Sequence, residues 1–192
     1  MLYYLVAINA IGDSLPSMGF NASTAGINNG QVLQSGSFST VSEASIDFNP
    51  QVLACNVVEI TLWAIAPSAA GANFRANLRI AGADVTATYD WVGYVVSAPT
   101  TGGQAANSDS AVQILNDLSA ADTALGFVRL YRGGTSGSVK FDYSLSSRLN
   151  GGALAHTTGG GDLTNTLSAD PTGISFFMSS GNISLSYQIK GY

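Results

Sequence analysis

The stretch Gly173-Ile-Ser-Phe-Phe-Met-Ser-Ser-Gly-Asn-Ile-Ser-Leu-Ser-Tyr-Gln-Ile-Lys-Gly-Tyr192 decides the fold class. Beyond the polar break Ser179–Asn182, the residues Ile183, Leu185, Tyr187 and Ile189 alternate with Ser184, Ser186, Gln188 and Lys190. Period two puts one set of side chains on a buried face and the other in water, which is the pattern of a strand. Ile174, Phe176 and Met178 repeat it before the break, and Ser-Ser-Gly-Asn is turn chemistry, so the stretch reads as a hairpin. A hairpin alone is marginal in water, and its apolar face must therefore close a larger sheet assembly.

Upstream the same alternation recurs. Val139, Phe141, Tyr143, Leu145 and Leu149 point one way and Lys140, Asp142, Ser144, Ser146 and Arg148 the other. Phe74–Ile80 and Ala44–Phe48 alternate as cleanly, and Asn49-Pro50 ends the latter. Val57–Ile65 is rich in β-branched and aromatic residues on both faces, as a central or doubly covered strand would be. Thr88–Val96 and Leu125–Tyr131 complete the clear strands, the latter entering a hairpin-type turn at Gly133-Gly-Thr-Ser-Gly. Ser108–Leu118 has both helical and strand spacing, and its all-β neighbours favour strand. Ser97–Ser110 and the Gly/Thr-rich Asn150–Gly173 read as loops. The expectation is an all-β fold, an antiparallel two-sheet β-sandwich of jelly-roll type with about eight strands and no convincing helix. Residues 1–35 are expected to form an N-terminal strand and an extended arm for docking or subunit contact, and residues 36–192 the sandwich.

Composition narrows the function classes. The chain of 192 residues is long enough to bury roughly 70% of its unfolded surface in one domain. Only 10% of residues are charged, with two Lys and two Glu, and Ser, Thr, Asn and Gly supply most of the polarity. A net charge of −5 with seven scattered basic residues argues against a nucleic-acid partner. The single cysteine, Cys55, excludes an internal disulfide and reads as a small buried residue. Leu2–Ile8 lacks a basic flank, so a signal peptide is not expected. Val52–Ala66 is broken by Asn56, Glu59 and Thr61 and is too short for a membrane span.

Ile174-Ser-Phe-Phe-Met-Ser-Ser-Gly-Asn-Ile183 resembles the closing hairpin of bacteriophage virion-surface proteins of tail-fibre or receptor-binding type, whose chains end in an I-x-F-x-x-S-S-G-N-I pattern. The resemblance runs in order over residues 40–192, through Ala44-Ser-Ile-Asp-Phe48 and Val128-Arg-Leu-Tyr131. It implies a non-enzymatic virion structural protein displayed for host attachment, assembled in the host cytoplasm. It also implies a homotrimer. The N-terminal arm, which lies outside the resemblance, is expected to contact other tail or capsid proteins. A capsid decoration or head-spike protein is the nearest alternative, since no long fibre shaft precedes the sandwich.

Gly12-Asp13-Ser14-Leu15 resembles the nucleophile block of GDSL esterases, but that family draws its base from a D-x-x-H block. The only histidine, His156, has Ala153 three residues before it, and no G-x-N-D block occurs, so the tetrapeptide reads as chance. With no second His, no transition-metal ligand set is expected. The single Gly159-Gly-Gly-Asp162 run with Asp170 is a weak calcium signal. Glu43, Asp47, Glu59, Asp84, Asp90 and Asp142 are carboxylates on strands from which no glycosidase pair can be named. The remaining reading is a glycan- or receptor-binding cluster of Tyr89, Trp91 and Tyr94, as in a carbohydrate-binding module. Aromatic faces there would stack on sugar rings, although alternation also suits Tyr89 and Trp91 to a core face. No cofactor is expected.

Overall fold

Alternating side chains produce almost nothing but strands in the computed structural model, which describes residues 30–86, 88–97, 100–132, 139–163 and 170–192. In chain order they are β1 Val32–Val41, β2 Glu43–Asp47, β3 Val57–Pro67, β4 Ala72–Ile80, β5 Ala83–Asp84, β6 Tyr89–Ser97 and β7 Thr100–Asp109. Then follow β8 Val112–Leu118, β9 Ala124–Tyr131, β10 Lys140–Arg148, β11 Leu154–Leu163, β12 Gly173–Met178 and β13 Ile183–Gly191. A single helical turn, α1 Pro50–Leu53, joins β2 to β3. Pro50 opens it, where a missing N–H costs nothing, and the Asn49 side chain accepts from the Val52 N–H at 2.9 Å.

The strands form an antiparallel ribbon rolled into two sheets. Its rungs are the pairs β1·β13, β2·β12, β3·β9 and β4·β8. Rolling brings β13 beside β3 and β12 beside β4. This is the jelly roll, two facing sheets built from β1, β13, β3, β9 and from β2, β12, β4, β8. Two insertions enlarge one sheet. β6 and β7, between β4 and β8, and β10 and β11, between β9 and β12, extend it to the order β1-β13-β3-β9-β10-β11-β6-β7. The added strands bury their inner face under β8, which reaches across to β10, β11 and β6.

Four expectations need correction. Ile174–Met178 and Ile183–Ile189 are strands with the expected buried residues, but they do not form a hairpin. β12 lies in the small sheet and β13 in the large one, so Ser179–Asn182 is a corner between sheets. Alternation determines which face is buried and is silent about the partner. Thr100–Asp109 and Leu154–Leu163 are strands rather than loops, and Val32–Val41 is an edge strand that starts within the expected arm. The described strands number thirteen rather than about eight. Val112–Leu118 is a strand, as favoured, and β9 and β10 pair as expected, although their connecting turn lies outside the described residues.

The core lies between the sheets. Phe74 and Phe176, both fully buried, stack with ring centroids 5.4 Å apart. Ile46, Ile60, Leu62, Leu130 and Ile189, drawn from both sheets, belong to the same buried core. Each such side chain, fully buried, is worth about 1.5–3 kcal/mol relative to exposure.

The glycines of β11 explain why a strand stands where composition suggests a loop. The registers align Tyr143 with Gly159 and Gly93, and Phe141 with Gly161 and Trp91. The Tyr143 ring lies so close to β6 and β11 that a Cβ on Gly93 would come within 2.6 Å of its hydroxyl. A Cβ on Gly161 would come within 2.8 Å of the Phe141 ring. Absent side chains on one strand are filled by rings from the next, which restores the packing a glycine strand lacks.

Gly159→Ala is therefore expected to destabilise the fold by about 1–3 kcal/mol, because its methyl presses into the Val92 carbonyl and Tyr143. Gly103, with nothing within 4 Å of the added carbon, should accept Ala with little change. Urea unfolding midpoints of the two variants test the contrast, and equal losses would contradict it.

Candidate functional site

The alternation that buries one face of the large sheet turns the other toward solvent, and the registers place its residues in rows. One row reads Tyr94, Thr158, Ser144, Phe127, Thr61 and Gln188 across β6, β11, β10, β9, β3 and β13. The next holds Val96, His156, Ser146, Leu125, Trp63 and Ser186 on the same strands. Tyr94 is 51% exposed, Leu125 58% and Trp63 39%. Ser35 and Ser37 continue the rows onto β1.

The three aromatic residues singled out in the sequence do not share a surface. Tyr89 and Trp91 point inward and are buried, whereas Tyr94, at odd offset from both on the same strand, points outward. The Tyr89 hydroxyl donates to the Val85 carbonyl and accepts from the Leu78 N–H, both at 2.8 Å. Trp91 Nε1 donates to Asp109 at 3.3 Å. Both are core residues tying β6 to its neighbours, and neither ring is available to a ligand. Trp63, in contrast, escaped the reading because β3 is apolar on both faces. A bulge at Ala64, whose φ of 52° lies in the left-handed region, shifts the phase of the strand. Trp63 and Ala64 both point to solvent before Ile65 returns to the core.

His156 is a surface residue, as expected, but on β11 rather than on a loop. Ser144 Oγ lies 3.1 Å from Nε2 and Ser146 Oγ 3.0 Å from Nδ1. Its two ring nitrogens thus face hydroxyls, whereas a base serving a serine nucleophile is oriented by a third group, commonly a carboxylate. Ser14 lies outside the described residues.

The carboxylates are gathered around arginines. Arg79, 11% exposed, has Asp84 at 2.8 Å, Asp47 at 3.1 Å and Glu43 at 3.3 Å, clamping β2, β4 and β5. Burial would lower its pKa, and the Asp47 and Asp84 contacts outweigh this and raise it. Arg129 has Glu59 at 2.7 Å and Asp142 at 3.5 Å, and its guanidinium sits 4.9 Å from the centre of the Phe127 ring. Asp90 accepts from the Ser108 N–H at 2.7 Å. Among the described residues no group of three His, Cys, Asp or Glu side chains could hold a metal, and no helix is long and apolar enough to cross a membrane.

Between the sheets lies a cavity of about 10 Å³, lined by Leu78, Tyr89, Val128, Phe141, Tyr143 and Ile174 among others. That is room for one water at most. The candidate surface is therefore the outer face of the large sheet. Comparison of the chain with protein-family models, with curated proteins and with solved structures gives no match.

The two phenols at this cavity set an alkaline limit on stability. Burial raises the pKa of Tyr89 well above the usual tyrosine value and pushes Tyr143 up to about 12. An unfolded phenol loses its proton near pH 10, so the stability from keeping Tyr143 neutral is complete below pH 10 and lost as pH rises through about 12, and that from Tyr89 is lost at higher pH still. Tyr143→Phe should remove about 2 kcal/mol of the fall in unfolding free energy between pH 10 and 12. An unchanged slope in the variant would contradict the assignment.

Proposed function

We propose that the chain is a non-enzymatic structural protein of a bacteriophage virion, of tail-fibre or tail-tip type, displayed on the particle for host attachment. The observation that carries this reading is the Ile174–Ile183 stretch, in which the resemblance to virion-surface proteins is most specific. In the fold these residues form the corner through which the last strand passes from one sheet to the other. Ile174, Phe176 and Ile183 are each no more than 1% exposed there. Motif residues with that role build a scaffold.

Three further features support the reading. The carboxylates near arginines are engaged in ion pairs. The cavity between the sheets, among the described residues, has room for one water at most. Both edge strands of the large sheet are nearly free of charge: β1 has none and β7 only Asp109 at its end. Natural monomers protect sheet edges with charge or proline, and edges left without either suit a subunit that meets its neighbours. In this reading copies associate, as a trimer by the resemblance, and residues 1–35 mount the assembly on other virion proteins.

Gold-labelled antibody against the folded domain, applied to purified particles, tests the proposal. Label on the tail of intact particles is expected, and label on the head would transfer the protein to the decoration class. Protein found in infected-cell lysate and missing from particles would overturn the proposal altogether.

A further inference from the structure

We infer that the outer face of the large sheet is a binding track for a linear, uncharged glycan, with Tyr94 and Trp63 as its stacking rings. The two outward rows run from β6 to β1 without a carboxylate, ammonium or guanidinium among their residues. Charge lies on either side of them. Asp142, Arg129, Glu59 and Lys190 form the next row in one direction, and Arg148 with Asp122 closes the other. Seven strands at the usual spacing of about 4.8 Å make the track roughly 29 Å long between its outermost strands, perpendicular to the chain direction. The shape is that of an extended polymer rather than of a small molecule.

The chemistry of the track selects the ligand. Ser144, Ser146, Thr158, Thr61 and Gln188 offer hydrogen bonds of both polarities to hydroxyl groups. Two exposed aromatic rings stand about four strand spacings apart, roughly 19 Å, and present flat apolar faces to the C–H side of a sugar ring. Trp63 is held outward by the bulge at Ala64, a strained left-handed residue next to an exposed tryptophan. Strain of this kind persists where it aims a side chain. Phe127 is not a third ring, because the Arg129 guanidinium sits over it. That guanidinium is already paired with Glu59 and Asp142, so an anionic glycan or nucleic acid would find no unpaired cation among the described residues of the track. The centre of a protein interface is built of packed apolar side chains, whereas here Ser and Thr make up half of the two rows.

The inference depends on the attachment reading for its biological use only, and glycan binding is measured without particles. Affinity electrophoresis through gels containing amylose, hydroxyethylcellulose, galactomannan or dextran, with polygalacturonate as the charged control, provides the test. Retardation by at least one neutral polymer is expected, insensitive to salt and weakened at least tenfold by Trp63→Ala and by Tyr94→Ala. Tyr94→Trp should retain it. Both positions are exposed, and thermal melts of the variants serve as the folding control. Migration unaffected by all four neutral polymers would overturn the inference, as would retardation that both alanine variants keep. A wild-type oligomer that Trp63→Ala or Tyr94→Ala dissociates in sedimentation would assign the face to a second copy instead. None of these failures bears on where the protein sits in a particle, which gold labelling decides separately.

Discussion

Tyr143 lies flat against two strands at Gly159 and Gly93, and the enlarged half of the molecule depends on that contact. A jelly roll of eight strands closes its own core. The four strands appended to β9 need their inner surface covered, and β8 crosses over three of them. Rings lying in the plane of the sheet lower the height of its inner surface, so that β8 can cross over β10, β11 and β6 at contact distance. The Tyr143 hydroxyl then donates to the Gln113 carbonyl of β8 at 3.2 Å. One side chain thereby joins three strands of one sheet to the layer above it.

Polar groups reinforce the same architecture from outside. Arg79 fastens β2 and β5 to β4, and Arg129 fastens β3 and β10 to β9, each with more than one carboxylate. Ion pairs in partly buried positions add specificity of register more than stability. With Glu59 and Asp142 drawn to Arg129 and Asp122 to Arg148, the two rows between these ion pairs are left without a charged residue of their own. The track is in this sense a consequence of where the charges are used.

Much of this was legible in the residues. Period-two alternation located the buried faces of β2, β4, β10, β12 and β13 correctly, down to Ala44, Phe74, Phe141, Phe176 and Ile189. It failed in two ways, each with a physical cause. Pairing between distant strands leaves no mark on local pattern, so the link from β12 to β13 looked like a hairpin. The glycines of β11 and β7 carry no side chain to show a period, so both strands looked like loops. The surface was less legible still. Tyr89, Trp91 and Tyr94 lie close in sequence, yet odd spacing divides them between two faces, and Trp63 is turned outward by a bulge that no local signal announces.

The central claim is that Leu154–Leu163 is an interior strand of the sheet in spite of its composition. Amide hydrogen exchange across that segment tests it most directly. Its bonded pairings with β10 on one side and β6 on the other predict protection comparable to that of Lys140–Arg148, including at Gly159 and Gly161. Exchange through the glycines as fast as in an exposed loop would contradict the account.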